Sequence, residues 1–153
     1  MSRKTFFARH ITIICLLSAL FVFADTQLTA QEQLPRPVLV LTEKKDYESN
    51  GKEKTLYRLD VENKADFPAE MFEPAPDLPP CGRNANSSRT WVNIYGENGK
   101  QIYGFCALKS PDELSTLAFT VPRGTALDKI YIIIIDRKLK KKIKSKSISV
   151  DEP

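Results

Sequence analysis

Short apolar runs separated by turn-forming residues fill most of this chain, and their spacing constrains the fold more than any other feature. In the first pair, residues 38–41 are apolar and residues 56–62 alternate between apolar and polar side chains. Asn50-Gly51 lies between them, and both residues tolerate the positive φ angles of a two-residue type I′ turn. Such a turn would pair Val40 with Val61. The pattern predicts an antiparallel β-hairpin in an all-β protein.

A second hairpin is predicted from residues 89–95 and 102–108, which flank Asn98-Gly99. With these two residues as the turn, Trp91 falls opposite Cys106. A tryptophan beside a disulfide would form a compact apolar centre, because the indole ring buries a large apolar surface.

Three further strands are predicted at residues 117–121, 130–136 and 147–150, which brings the total to about seven. Residues 132–135 are four consecutive isoleucines, so this strand is expected to be buried on both faces or nearly so. Short strands with this spacing favour an antiparallel β-sandwich over other architectures.

A proline-rich connection separates the two hairpins at residues 63–88. Proline cannot donate a hydrogen bond to a sheet ladder, so a long loop is expected here. Loops of this length often carry function. Its apolar side chains allow two interpretations: they form a protein-contact surface, or they plug one end of the core. These side chains are Phe67, Met71 and Phe72.

The first 24 residues have the layout of a secretory signal peptide. Basic residues stand at its start, residues 11–24 are almost entirely apolar, and Val22-Phe23-Ala24 fits a signal-peptidase site. The apolar run is shorter than the roughly 20 residues that a membrane-spanning helix needs. We therefore expect cleavage after Ala24, a flexible leader at residues 25–37 and a β-sandwich domain at residues 38–153. The mature chain would be secreted or periplasmic, without a transmembrane span.

Removal of this segment changes the chemistry that the chain offers. His10 is the only histidine, so the mature chain would have none, which excludes histidine-based acid–base catalysis and histidine-bearing zinc sites. Cys15 leaves as well, and Cys81 and Cys106 remain to form a disulfide in an oxidising compartment. Three of the 23 basic residues also leave, so the net charge falls from +4 to +1.

The carboxylates make a weak case for catalysis or metal binding. Residues 46–51 (Asp-x-Glu-x-Asn-Gly) echo the start of an EF-hand calcium loop, yet Tyr57 stands where a bidentate glutamate belongs. Two pairs of acids lie close together in sequence, as surface acids commonly do: Glu70 with Glu73, and Asp112 with Glu113. We expect no enzyme activity, no metal site and no cofactor.

Seven positive charges fall within the ten residues 137–146, between the isoleucine strand and the last strand. This density suits binding to anionic envelope components such as lipids, lipopolysaccharide or acidic polysaccharide. The alternative is structural: lysines protect an exposed strand edge or solvate a hairpin tip. Nucleic acid is not an expected partner, because no aromatic residue is interleaved among the lysines. The candidate anion-binding residues are Arg137, Lys138, Lys140, Lys141, Lys142, Lys144 and Lys146.

The strand number, the position of Trp91 and the final hairpin resemble immunoglobulin-like or fibronectin-type-III-like modules over most of residues 38–150. One departure concerns the disulfide: Cys106 lies at the end of the strand directly after Trp91, so the bond would not join the usual pair of immunoglobulin strands. Three segments also resemble small secreted bacterial proteins of unassigned function, a resemblance that implies no particular activity: Pro79-Pro80-Cys81-Gly82, Ser88-Arg89-Thr90-Trp91-Val92 and Ile102-Tyr103-Gly104-Phe105-Cys106-Ala107-Leu108.

The expected function is that of a non-catalytic binding or envelope-associated module. Its partner would be an unknown protein or an anionic envelope component. The expected contact surfaces are the proline-rich connection, residues 63–88, and the basic hairpin, residues 137–146, with the hairpin contacting the anionic component. The alternative is a protein-inhibiting module that inserts the connection of residues 63–88 into the cleft of a hydrolase.

Overall fold

The computed structural model describes residues 34–81, 88–106 and 108–151. Within these ranges the chain contains no helix that is long and apolar enough to span a membrane. Short 3₁₀ turns occur at Lys64–Asp66, Ala69–Phe72 and Pro111–Ser115. The strands are β1 (Leu39–Ser49), β2 (Lys52–Val61), β3 (Thr90–Gly96), β4 (Gln101–Phe105), β5 (Leu117–Pro122), β6 (Lys129–Asp136), β7 (Lys141–Lys144) and β8 (Ile148–Ser149).

Two antiparallel sheets divide these strands. One sheet has the order β1-β2-β5, and the other has the order β4-β3-β6-β7, with β8 also paired to β6. The first, second and fifth strands therefore share one sheet, and the third, sixth and seventh share the other, as in immunoglobulin-like sandwiches. The predicted all-β immunoglobulin-like sandwich is confirmed, with eight strands rather than about seven.

One hydrophobic cluster joins the inner faces of the two sheets. Successive side chains on a strand point to opposite faces, so alternate residues of each strand enter this cluster. Those with no exposed surface include Leu59, Val61 and Leu117 from the first sheet, and Val92, Ile94, Ile130, Ile132 and Ile134 from the second.

The β1–β2 hairpin has the predicted turn but a different register. Asn50-Gly51 has φ angles of 52° and 68°, as a type I′ turn requires. However, Thr42 is an extra residue in β1, so Leu39 rather than Val40 pairs with Val61. This β-bulge adds one residue to β1 that has no partner in β2. No local sequence pattern predicts the bulge.

The β3–β4 hairpin turns over three residues, Glu97 to Gly99, and Gly99 has a φ of 76°. The ladder nevertheless pairs Val92 with Phe105, which leaves Trp91 and Cys106 opposite each other by register. Val92 is buried on the core side, so Trp91, its neighbour on the strand, points to the outer face. The apolar centre expected around Trp91 is therefore not in the core.

The isoleucine-rich strand β6 lies inside the five-stranded sheet, but its two faces differ. Ile132 and Ile134 are fully buried, whereas Ile133 and Ile135 on the outer face are half-buried. The prediction that β6 is buried on both faces is therefore only partly confirmed. Among the described residues, no second sheet covers its outer face.

Strand β7 was not predicted from the sequence. It lies within the basic segment, and a lysine-rich stretch does not have the apolar alternation that indicates a strand. It pairs with the C-terminal half of β6, and the short β8 pairs with the N-terminal end. Buried Ser145 separates the two strands. Its hydroxyl accepts a hydrogen bond from the N–H of Ile132, and its own N–H donates to the carbonyl of Ile132, both at 3.0 Å.

The compact unit begins at Leu34, before the expected boundary at residue 38. Leu34 packs against the core, and the N–H of Val38 donates to Asn63 Oδ1 at 2.8 Å. Residues 34–37 therefore belong to the domain rather than to a leader. The predicted signal peptide, its cleavage site and the remainder of the leader lie outside the described residues.

The predicted disulfide between Cys81 and Cys106 is confirmed, with the two Cα atoms 5.7 Å apart. It ties the proline-rich connection to the end of β4. The two cysteines are 25 residues apart. Closing a loop of that length restricts the unfolded chain by about 3.5 kcal/mol in the chain-entropy model.

Removing this disulfide by the double substitution C81A/C106A should lower the free energy of unfolding by about 2–4 kcal/mol. Urea denaturation of both proteins measures the difference. The reduced wild-type protein serves as the control and should show the same loss. A loss below about 1 kcal/mol in both samples would mean that the disulfide contributes little to the fold.

Candidate anion-binding surface

The apolar side chains of the proline-rich connection belong to the core. Phe67, Met71 and Phe72 are 3%, 1% and 2% exposed, and all three join the central hydrophobic cluster. They are therefore too deeply buried to form a protein-contact surface, and the first interpretation is wrong. Their burial favours the second interpretation, in which they plug the end of the sandwich.

A buried ion pair connects the start of β3 to the end of β6. Arg89 Nε donates to Asp136 Oδ1 at 3.0 Å, and Arg89 Nη2 donates to Asp136 Oδ2 at 2.7 Å. The Asp136 side chain has no exposed surface, and the Arg89 side chain is 15% exposed. Arg89 Nη1 also donates to the carbonyl of Glu70 at 3.0 Å, which attaches the proline-rich connection to this pair.

The pKa of Asp136 lies below the ordinary value of an aspartate. Burial raises it, because desolvation disfavours the charged form. The hydrogen bond from Arg89, the N–H groups of Leu139 and Lys138, and the positive charge of Arg89 together lower it by more. The carboxylate therefore stays ionised inside the protein.

Asp136 also fixes the turn between β6 and β7. The N–H groups of Lys138 and Leu139 both donate to Asp136 Oδ1 at 3.0 Å. Lys140 completes the turn with a φ of 55°, in the left-handed region. One buried carboxylate thus holds the backbone at the start of the basic segment.

Arg137, the first candidate anion-binding residue, is committed to contacts within the protein. Its Nη1 donates to the carbonyl of Ser88 at 2.9 Å and its Nη2 donates to the carbonyl of Pro79 at 2.7 Å. The guanidinium carbon lies 4.1 Å from the ring centroid of Trp91. Arg137 therefore attaches both Pro79 and Ser88 to the β6–β7 turn and is not a free cation.

The six candidate lysines occupy three positions around β7. Lys138 and Lys140 are exposed in the turn, and Lys146 is exposed after the strand. Lys142 and Lys144 pair with Ile135 and Ile133, which puts them on the outer face, whereas Lys141 pairs with Asp136 on the inner side. Among the residues that the structure describes, no carboxylate oxygen lies within 4.0 Å of any of these six ammonium groups.

An aromatic stack adjoins the lysines on the outer face of the five-stranded sheet. Lys144 Nζ lies 3.7 Å from the ring centroid of Tyr131, and the Tyr131 ring stacks on Tyr95 at 5.3 Å. Aromatic residues that are absent from the basic segment in sequence are thus close to it in space. Because Lys144 and Tyr95 approach the Tyr131 ring from neighbouring strands on either side, that ring has no free face for stacking a base.

The carboxylates considered for chemistry do not converge on a site. Glu70, Glu73 and Asp112 are exposed, and the Glu113 carboxylate accepts a hydrogen bond from the N–H of Lys109 at 3.0 Å. No group of three or more metal-ligating side chains occurs in residues 34–81, 88–106 and 108–151.

The EF-hand-like segment forms the tip of the β1–β2 hairpin. Asp46 accepts a hydrogen bond from the hydroxyl of Thr55 at 2.7 Å and pairs with Arg123 at 3.1 Å. Its carboxylate is thus satisfied by Thr55 on β2 and by Arg123 directly after β5, as expected of a structural hairpin residue.

An open cleft of about 650 Å³ lies between the β3–β4 turn and the loop after β5. Ile102, Val121 and Leu127 supply apolar lining, and Glu97 pairs with Lys129 at 3.5 Å on its rim.

Three residues of this surface were not among the sequence candidates: Arg89, Asp136 and Leu139. A single acid at the end of an isoleucine run is the signal that could have drawn attention to Asp136, because a carboxylate there must find a partner. The partner, Arg89, lies 47 residues away in sequence, and no local pattern identifies it.

Comparison with known proteins adds no relative: no family model, no curated protein and no solved structure matches this chain. The function is therefore inferred from the residues and their geometry.

Replacing the buried acid by the substitution D136N should lower the free energy of unfolding by about 3–5 kcal/mol at neutral pH, because it leaves Arg89 without its charged partner. A carboxylate with a lowered pKa in the folded state stabilises the protein above its unfolded-state pKa. That contribution is lost as the pH falls through the lower folded-state value. The stability difference between wild type and D136N should thus shrink below about pH 4.

Denaturation at a series of pH values measures this difference. The matched control is D60N, which breaks the partly exposed pair between Asp60 and Lys64 and should cost less than about 1 kcal/mol. A difference between wild type and D136N that stays constant down to the acid limit would contradict the assigned role of the ion pair.

Proposed function

We propose that this protein is a non-catalytic binding module that contacts an anionic envelope component through its basic hairpin, residues 137–146. The observation that carries the proposal is the group of six lysines around β7 without carboxylate partners among the described residues. Like charges kept close together repel each other, and an anionic partner relieves that repulsion.

Protection of a strand edge accounts for only part of this group. β7 is an edge strand, so Lys142 and Lys144 would discourage pairing with another chain. Lys138 and Lys140 lie in the turn, beyond the paired residues, where there is no edge to protect. Edge protection therefore leaves these two lysines unexplained. Solvation of the hairpin tip is the structural alternative for them, and the binding measurements below decide between the two roles.

An extracytoplasmic location is part of the proposal. The Cys81–Cys106 disulfide is compatible with an oxidising compartment. The layout of residues 1–24 supports a signal peptide that is cleaved after Ala24, and hence a secreted or periplasmic protein. We also retain, as a proposal, the relationship to small secreted bacterial proteins with an immunoglobulin-like sandwich.

The alternative function, inhibition of a hydrolase by the connection of residues 63–88, has weaker support. The apolar side chains that would enter a cleft, Phe67, Met71 and Phe72, are held in the core. The backbone of that connection is further attached to Arg89 through Glu70.

The double substitution K138Q/K140Q should weaken binding to heparin, a soluble polyanion, and to anionic vesicles. At about 1 kcal/mol per cation near an anionic surface, the loss is roughly 30-fold in affinity. Binding of the wild type should itself weaken as the ionic strength rises from about 0.01 M to about 0.15 M, because the Debye length falls from roughly 30 Å to roughly 8 Å. Titration at each salt concentration gives both quantities.

The matched control is K45Q/K52Q, which removes the same charge from two exposed positions that flank the tip of the β1–β2 hairpin. That tip carries acids beside its lysines, so the control should retain wild-type affinity within about twofold. Equal losses in the two double variants would mean that binding depends on net charge alone, and the basic hairpin would have no specific role.

A further inference from the structure

Leu139 is an exposed leucine in the middle of the basic turn. It leaves 53% of its surface exposed, more than any other large apolar residue that the structure describes. Isolated apolar residues on a surface are common and need no explanation. The setting of Leu139 is different, because exposed Lys138 and Lys140 flank it and the backbone around it is fixed.

The turn holds Leu139 outward. Its own N–H and that of Lys138 donate to the buried carboxylate of Asp136, each at 3.0 Å. The preceding Arg137 is fastened to two backbone carbonyls and to the ring of Trp91. An apolar side chain on a turn fixed in this way is presented to a partner at little cost in conformational entropy.

The neighbouring surface combines cations with apolar groups. Pro79, whose carbonyl accepts a hydrogen bond from Arg137 at 2.7 Å, is exposed beside the turn, and so is Pro80. A soluble polyanion would interact with the lysines and gain nothing from an exposed leucine. An anionic bilayer surface uses both, since ammonium groups stay at the level of the lipid phosphates while an apolar side chain reaches the acyl boundary.

We propose that the β6–β7 turn docks on the surface of anionic phospholipid membranes, with Leu139 inserted between the lipid headgroups. This inference rests on the proposed function and names its partner: the anionic component is a lipid surface rather than a soluble polyanion. Lys138 and Lys140 supply the attraction to the lipid phosphates, and Leu139 supplies the apolar contact. Asp136 positions all three by fixing the turn.

The substitution L139A separates the two partners. Binding to vesicles of phosphatidylglycerol and phosphatidylcholine in equal parts should weaken roughly 10- to 50-fold, because three carbon atoms that would be buried in the lipid are lost. Binding to heparin should be unchanged, since no charge is altered. The matched control is Y103A, which removes an apolar side chain that is 48% exposed on β4, outside the basic turn. Its vesicle affinity should equal that of the wild type.

A second measurement reports insertion directly. The substitution L139W adds an indole at the tip of the turn, so that the variant has two tryptophans, the added one and the native Trp91. With vesicles that contain brominated phosphatidylcholine, the added fluorescence should shift to the blue and be quenched. The wild type, which reports Trp91 alone, should change much less. Phosphatidylcholine vesicles without the anionic lipid should leave both spectra unchanged.

The outcomes distinguish this inference from the proposed function. Wild-type protein that binds neither heparin nor anionic vesicles contradicts both. Wild-type protein that binds both ligands, with L139A equal to wild type on vesicles and no quenching in L139W, overturns the membrane inference alone. A vesicle-specific loss in L139A together with quenching in L139W supports it.

Discussion

The buried ion pair between Arg89 and Asp136 is the interaction on which the basic hairpin depends. A carboxylate without exposed surface is tolerated only because a bidentate arginine and two backbone N–H groups satisfy its oxygens. Those N–H groups belong to Lys138 and Leu139, so the same contacts that neutralise the buried charge also set the shape of the turn. Through Glu70, Arg89 extends the network to the proline-rich connection. The stability of the sandwich and the presentation of its cations are thus coupled.

Much of the fold could be predicted because it follows from local chemistry. Asn50-Gly51 specifies a type I′ turn, and alternation in β2 specifies its buried face. What could not be predicted depends on pairing between distant residues. The bulge at Thr42 changes which residue of β1 faces Val61. Strand β7 forms because β6 offers it a partner, although a lysine-rich sequence has little tendency to form a strand by itself.

The candidate site was predictable only in outline. The density of lysines identifies residues 137–146 as a candidate site. The sequence alone predicts that Arg137 is one of its free cations. In the structure, however, Arg137 contacts the ring of Trp91 and donates to two backbone carbonyls. For Phe67 the sequence left burial undecided, because an aromatic residue in a proline-rich loop has the same local sequence whether it lies on the surface or in the core. The structure buries it. Burial is a property of the assembled fold, so neither assignment could come from spacing alone.

Chemical-shift mapping by NMR with anionic and with neutral lipid nanodiscs would test the binding role of the basic hairpin most directly. Every backbone N–H in the domain then reports whether it meets the lipid. Because the turn is held by Asp136, the largest changes should be confined to residues 137–146, with anionic lipid only, and the strand pairing of β6 with β7 should persist. Changes centred on the tip of the β1–β2 hairpin, or changes that are equal with neutral lipid, would contradict this role.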